Sequence, residues 1–222
     1  MMPEESAETT LVLASRNPKK SREISALLAP FGLEVVGVDQ FPHVPEVDED
    51  RDTFTGNAQK KAVEVAKVVR RWTIAEDSGL CVDALNGDPG VYSARYAIED
   101  RPDHAESVDR QMQDDLNNAK LIRELANVPP EQRTAGYVCH VSVADPDGVV
   151  RLDVECSCRG RIIDEPQGNN GFGYDPYFLI PEYHRTFGEL SALVKNCLSH
   201  RSRAMQRLIP QLVALLCTDR TS

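Results

Sequence analysis

The sequence predicts an α/β fold carried by a mixed β-sheet and divided into two lobes. Three observations predict it. Strand-like apolar runs alternate with 3.6-residue helical patterns through the first half of the chain. Two long alternating runs joined by Pro-Asp-Gly read as a hairpin in the second half. No linker long enough to separate independent domains interrupts the 222 residues, 41% of them apolar. Residues 1–9 are expected to be a disordered leader, and residues 10–218 a single two-lobed domain.

Taken in order, "TLVLAS" (residues 10–15) is a buried first strand, and Asn17-Pro18 starts a helix, because proline is tolerated in a first turn. Ile24, Leu27, Leu28 and Phe31 recur at helical spacing, and Gly32 ends that helix. "LEVVGV" is the second strand, followed by the proline-broken acidic loop "PHVPEVDEDRDTF". A second helix is expected from about residue 55 to 71, with Ala58, Ala62, Val65, Ala66 and Val69 facing inward. "WTIAE" is a third strand, ending in a loop that contains "DSGL". A helix over residues 109–126 carries the pattern Met112, Leu116, Ala119, Leu125, and "NVPPEQR" breaks it. The hairpin runs are "TAGYVCHVSVAD" and "VVRLDVECSCRGRII"; a glycine-rich loop, "EPQGNNGFGYDPYF", and a closing helix from "ALVKNC" onward complete the chain.

The formal charge of -10 excludes a protein that holds DNA or RNA by counterion release, which needs a basic footprint. An acidic protein that handles polyphosphates does so locally, with a few placed lysines or a metal. Six cysteines without CxxC spacing suggest neither a zinc site nor a disulfide framework, so buried free thiols in a reducing cytoplasm are expected. The N-terminus has no apolar signal region, and no run approaches the ~20 apolar residues that span a bilayer.

Several short stretches carry candidate chemistry. "SRNPKK" (residues 15–20) joins the first strand to the first helix, where free backbone N–H groups and the helix dipole attract phosphate. It lacks the glycines of a Walker A loop, and an ordinary N-cap with solvated lysines is the alternative. Glu46, Asp48, Glu49 and Asp50 form one carboxylate group and the pair Glu76-Asp77 another. Oxygen ligands of this kind suit Mg²⁺, which takes one or two carboxylates plus waters and substrate phosphates. Asp77 is also the candidate base for activating water. A solvated charge run is the alternative for the loop acids. Lys61 and Lys195 are candidate phosphate contacts, each also readable as a surface lysine. "GFGYDP" offers Phe172 as a flat ring for stacking on a base, or else a turn packing Phe172 and Tyr174 into the core. "SHR" (residues 199–201) places His200 and Arg201 as donors at a helix start.

Together, "LASRNPKKSREI", "TFTGNAQKKA", "AEDSGLCVDALNGDPGVYSARYA", "NNAKLIREL", "GFGYDPYF" and "ELSALVKNCLSHRSRA" resemble the inosine triphosphate pyrophosphatase family, also called XTP/dITP diphosphatases, over residues 11–216. The resemblance implies an elongated mixed sheet flanked by helices, two lobes with a central substrate cleft, and a Mg²⁺-dependent cytoplasmic homodimer. The implied reaction converts ITP, dITP and XTP to the monophosphate and pyrophosphate. It also implies that Ser15, Arg16, Asn17, Lys19, Lys20 and Lys61 hold phosphates. Asp77 is then the catalytic acid, with Glu49 and Glu76 beside it at the metal, and Ser78 is a substrate contact. Phe172, Gly173, Tyr174, Asp175, Lys195, His200 and Arg201 match base-recognition positions. Glu76 stands where the family's first "DDSG" acid is usual, and Asp50-Arg51 replaces its Thr-Gly. Donors such as His200 and Arg201 would reward a 6-oxo purine over adenine's 6-amino group. A pyrophosphatase for other modified nucleotides, and a nucleotide-binding sensor without turnover, are the competing readings.

Overall fold

The computed structural model describes residues 10–98 and 109–219, so the expected leader at residues 1–9 lies outside the described residues. A seven-stranded mixed sheet runs in the order β2-β1-β3-β4-β5-β6-β7. Its strands are β1 (Leu11–Leu13), β2 (Val35–Gly37), β3 (Thr73–Val82), β4 (Thr134–Ala144), β5 (Val150–Ile162), β6 (Phe178–Ile180) and β7 (Arg185–Thr186). The helices are α1 (Pro18–Leu28), α2 (Phe54–Val69), α3 (Arg110–Glu124), α4 (Ala192–Leu198) and α5 (His200–Asp219). The chain divides into two compact units: Met1–Asp77 with His140–Glu155 and Ala204–Ser222, and Ser78–Cys139 with Cys156–Arg203.

In the first unit, β1 pairs in parallel with both β2 and β3, in the registers Val12↔Val36 and Val12↔Thr73. Its three apolar residues are fully buried, as a continuous Leu-Val-Leu run in a parallel sheet requires. Helix α2 buries the stripe Ala58, Ala62, Val65 and Ala66, with Val69 packed at its end. Thr53 caps its start by accepting from the Gly56 N–H at 3.0 Å. The core joins Val12, Ala14, Val38, Val44, Ala75 and Ala144 to that stripe.

The second unit has an aromatic core in which Phe178 and Phe187 are fully buried and Tyr137 packs on both. Strand β6 pairs antiparallel with β5 and with β7. The two-residue β7 ends the sheet, and so short an edge presents few unpaired backbone groups.

Four sequence expectations need correction. Strand β3 does not stop at Glu76: it runs through "DSGL" to Val82, because Leu80 and Val82 restore the alternation after Ser78 and are both fully buried. Met112 and Ala119 do not face inward on α3; Met112 is 54% exposed, and the buried face is instead Asp114, Asn117, Asn118 and Lys120 with Leu121. The closing helix is two helices, since Ser199 takes an extended backbone and its Oγ accepts from the Ser202 N–H at 3.2 Å to start α5. All six cysteines are free, but only Cys139 and Cys158 are buried.

Gly168 sits at φ +78°, and a Cβ there would lie 2.1 Å from the Gly188 carbonyl oxygen. Gly168→Ala is therefore expected to destabilise the fold by on the order of 2 kcal/mol, read as a lowered Tm in thermal denaturation followed by circular dichroism.

Candidate functional site

Two groups of side chains concentrate the chemistry, one in each unit. The first is built on the middle of β3, the first turn of α1, the loop before α2 and the inner face of α2. Glu76 and Asp77 are almost completely buried, at 2% and 5% exposure. Neighbouring side chains on a strand point to opposite faces, and this pair takes different lysines. Lys20 from α1 reaches Glu76 Oε1 at 2.8 Å. Lys61 from α2 lies 3.1 Å from Asp77 Oδ1 and 2.7 Å from Glu49 Oε1. Two adjacent acids are thus tolerated because each meets an ammonium group within about 3 Å.

Asn57, one turn before Lys61, completes this group. Its Nδ2 donates to Asp77 Oδ2 at 3.2 Å and to the Arg51 carbonyl at 3.2 Å, and its Oδ1 accepts from the Arg51 N–H at 3.0 Å. Helix α2 is pinned nearby: Thr55 Oγ1 meets His140 Nδ1 at 3.0 Å, and His140 Nε2 meets Asp153 at 2.9 Å. Spacing by four residues puts Asn57 and Lys61 on one face of α2. That spacing is the sequence signal by which Asn57 could have been found beside the expected Lys61.

Burial pushes the Asp77 carboxyl above the ordinary aspartate range, and the Glu49 carboxylate adds to this, more than Lys61 and Lys20 offset. The Lys61 ammonium is held above its ordinary range despite burial, by Asp77 and Glu49. Of the loop acids only Glu49 turns toward this group. Asp48 and Asp50 are exposed, the Asp48 carbonyl and the Asp50 carboxylate both taken by Lys60. Among the described residues no three His, Cys, Asp or Glu side chains are gathered as a ready metal cage.

The first loop only partly follows expectation. Asn17 caps α1 with its own Oδ1, accepting from the Lys19 and Lys20 N–H groups at 3.0 and 3.3 Å, which are the groups expected to meet phosphate. Ser15 Oγ accepts from the Asn17 N–H at 3.2 Å. Arg16 turns away to the Val44 carbonyl at 2.9 Å. Lys20 reaches the acid group at Glu76.

In the second unit, Lys195 is buried in α4, before the last helix, and donates to Asp175 Oδ2 at 2.7 Å. The same Oδ2 accepts the Phe172 N–H at 2.7 Å. The half-buried Phe172 ring lies 4.8 Å from the Lys195 ammonium and 6.0 Å from the Arg201 guanidinium, within reach of cation–π attraction. Arg201 Nη2 donates to Ser78 Oγ at 3.3 Å. His200 is buried and stacks on Tyr137 at 4.8 Å. Tyr174 goes to the core, as its bland alternative expected: its hydroxyl donates to the Ser93 carbonyl at 2.8 Å, and burial raises its pKa so that it stays a donor. Gly173 adopts φ +61°; its N–H donates to Asp114 and its carbonyl accepts from Asn118. The sequence reading missed Asp114 and Asn118 because it assigned the inner face of α3 to apolar residues.

The Ham1 family model matches residues 11–211. A curated relative, the dITP/XTP pyrophosphatase of Rhodopirellula baltica, is 50% identical over 212 residues, covering 96% of this chain and 97% of its own. Two solved structures are similar. A HAM1 protein from Coxiella burnetii aligns with a TM-score of 0.80 at 33% identity, over 92% of this chain and 98% of its own. A nucleoside-triphosphatase / dITP/XTP pyrophosphatase from Mycobacterium abscessus aligns at 0.70 and 40% identity, over 90% and 99%.

The raised Asp77 pKa fixes a sign. A carboxyl that binds its proton more tightly folded than unfolded contributes stability below the unfolded value of about 3.8, and that contribution is lost as pH rises through the folded value. Without divalent metal, Asp77→Asn is expected to raise Tm relative to wild type at pH 7 and to lose that advantage below pH ~4. Thermal melts in EDTA across this range check it.

Proposed function

The chain belongs to the Ham1 family, and we propose that it hydrolyses non-standard purine nucleoside triphosphates, dITP, ITP and XTP, to the monophosphate and pyrophosphate. The observation that carries this is the buried acid–lysine group of the first unit, with Lys61 bonded to both Glu49 and Asp77. Three carboxylates and two ammonium groups leave it with one net negative charge. A divalent cation would turn that into one positive charge, suited to a triphosphate.

Mg²⁺ fits the donors present. All are carboxylate oxygens, and Glu49 and Asp77 already share one cation in the form of the Lys61 ammonium. We therefore assign the metal to Glu49 and Asp77. Glu76 stands beside them as the acid that keeps Lys20 in place. When bound, the metal would neutralise phosphate charge and polarise the α-phosphorus for attack. Lys61 and Lys20 then stabilise charge on the departing pyrophosphate. Asp77 is placed to take the proton of the attacking water, with Asn57 Nδ2 holding the carboxylate's other oxygen.

Base recognition belongs to Phe172, Lys195, His200 and Arg201. The ring offers a stacking surface, and the side-chain donors favour a 6-oxo group over the 6-amino group of adenine. The Lys195–Asp175 bond fixes the lysine's position and leaves two of its three donors for other acceptors. The homodimer is carried over from the resemblance, and light scattering at the mass of one chain or of two checks it. No helix among the described residues is long and apolar enough to cross a membrane, which agrees with the proposed cytoplasmic location.

Release of pyrophosphate from dITP and XTP in Mg²⁺, abolished by EDTA and slow with dATP, is the expected result. Folded protein that binds nucleotide but releases no pyrophosphate from any triphosphate would favour the sensor reading. Asp77→Asn is expected to lower kcat by at least ~10²-fold, as loss of a general base does. Phe172→Ala is expected to raise KM for dITP about 5- to 100-fold, the worth of one base–aromatic stack, in steady-state assays at fixed Mg²⁺.

A further inference from the structure

Helix α3 buries polar residues where a globular helix ordinarily buries apolar ones. Asp114 and Asn118, 5% and 7% exposed, lie one turn apart on that face. Asp114 Oδ2 accepts the Gly173 N–H at 2.9 Å, and Asn118 Nδ2 donates to the Gly173 carbonyl at 3.1 Å. The two bonds engage the peptides on either side of one α-carbon, so they fix the backbone rotation of Gly173 at its left-handed φ of +61°. A Cβ at Gly173 would meet nothing within 4 Å, so crowding does not impose this conformation. The same loop faces a cavity of about 490 Å³ lined by Asp114, Asn118, Gly171, Phe172 and Gly173 among others, and so lacks packed side chains on that side. Hydrogen bonds, rather than packing, hold it.

Asn118 is a poor choice for stability alone. Its Oδ1 is buried with no partner among the described residues, and a buried unsatisfied acceptor costs about as much as the donated bond returns. An apolar side chain of similar volume would fill the position without that cost. What only the amide supplies is the directed bond to Gly173, the neighbour of the aromatic ring.

We propose that Asp114 and Asn118 are positioning residues for base recognition, clamping Gly173 so that the Phe172 ring is held in register with Lys195 and Arg201. The register matters because the ring already lies against both cations, and Asp175 ties the Phe172 N–H to Lys195 through one carboxylate oxygen. If the loop rotates, the stacking surface moves relative to the donors that read the 6-position. The clamp thereby acts on which base is accepted, not on the phosphate chemistry of the first unit.

This inference rests on the reading of Phe172 as the base platform, and its test separates the two. The variants are Asn118→Leu, Asp114→Leu and Asp114→Asn, the last keeping an oxygen that can accept from Gly173. Each is assayed for kcat and KM with dITP and dATP and for binding of inosine monophosphate by calorimetry, with melting curves as the control on folding. Asn118→Leu and Asp114→Leu are expected to raise KM for dITP and weaken inosine monophosphate about tenfold, the worth of one hydrogen bond. Both should narrow the dITP-to-dATP preference while leaving kcat within about twofold, and Asp114→Asn should behave as wild type. Folded leucine variants with wild-type KM, binding and preference would overturn the clamp, as would a fall in kcat alone. Should a leucine variant not fold, Asn118→Ala and Asp114→Ala carry the same comparison. Should wild type release no pyrophosphate from any triphosphate, the pyrophosphatase reading fails, and the calorimetry still decides the clamp.

Discussion

The structure of the first unit turns on one cation: the Lys61 ammonium lying between Glu49 and Asp77 inside the protein. Asp77 is buried while Glu49 is 34% exposed, and the desolvation of Asp77 and the repulsion between the two carboxylates both oppose ionisation, which the ammonium offsets. Much of the surrounding architecture serves to place that lysine. Thr53 sets the start of α2, the alanine-rich stripe lets the helix lie close on the sheet, and Asn57 holds the far oxygen of Asp77. A buried ion group of this kind is a weak contributor to stability, and the upward pKa of Asp77 marks it as a burden. Such a burden is retained where charge is needed for chemistry.

The second unit solves a different problem with the same economy. Its core is aromatic, yet it keeps Lys195 and Asp175 buried together beneath the partly open Phe172 ring. One carboxylate oxygen receives both the lysine and the backbone N–H of Phe172, so loop and cation are set by a single acceptor. Helix α3 holds the neighbouring backbone from its polar face. Asn117 joins it to the Ser93, Ala94 and Ala97 backbone, and Lys120 to the Tyr96 carbonyl, so four buried polar residues tether two loops to one helix.

What could be read in the sequence, and what could not, follows from these interactions. The β1–loop–α1 junction and the inner face of α2 were legible because apolar periodicity there coincides with burial. Asp77 and Lys61 stood out because charged residues interrupt an otherwise buried strand and an otherwise apolar helix face, and Lys20 because it opens the first helix. Periodicity misled for α3, where Asp114, Asn117, Asn118 and Lys120 are buried by hydrogen bonding to loops distant in sequence. It misled for β3 too, since Ser78-Gly79 looks like a turn although the strand continues to the buried Leu80 and Val82. The first loop was read as phosphate-ready, but a short polar residue at a helix start competes for the same N–H groups, and Asn17 takes them here. The break at Ser199 belongs to the same class, a local side-chain-to-backbone bond inside a run whose apolar pattern is continuous.

The most direct test of the acid–lysine group as the metal centre needs neither substrate nor turnover. Nucleotide-free protein is titrated with Mn²⁺, a paramagnetic substitute that shares the oxygen-ligand preference of Mg²⁺, and free ion is followed by electron paramagnetic resonance. The account predicts saturable binding that Mg²⁺ displaces and that Asp77→Asn and Glu49→Gln each weaken severely in folded protein. Equal Mn²⁺ affinity in wild type and both variants would contradict it and move the metal, if one is used, away from Lys61.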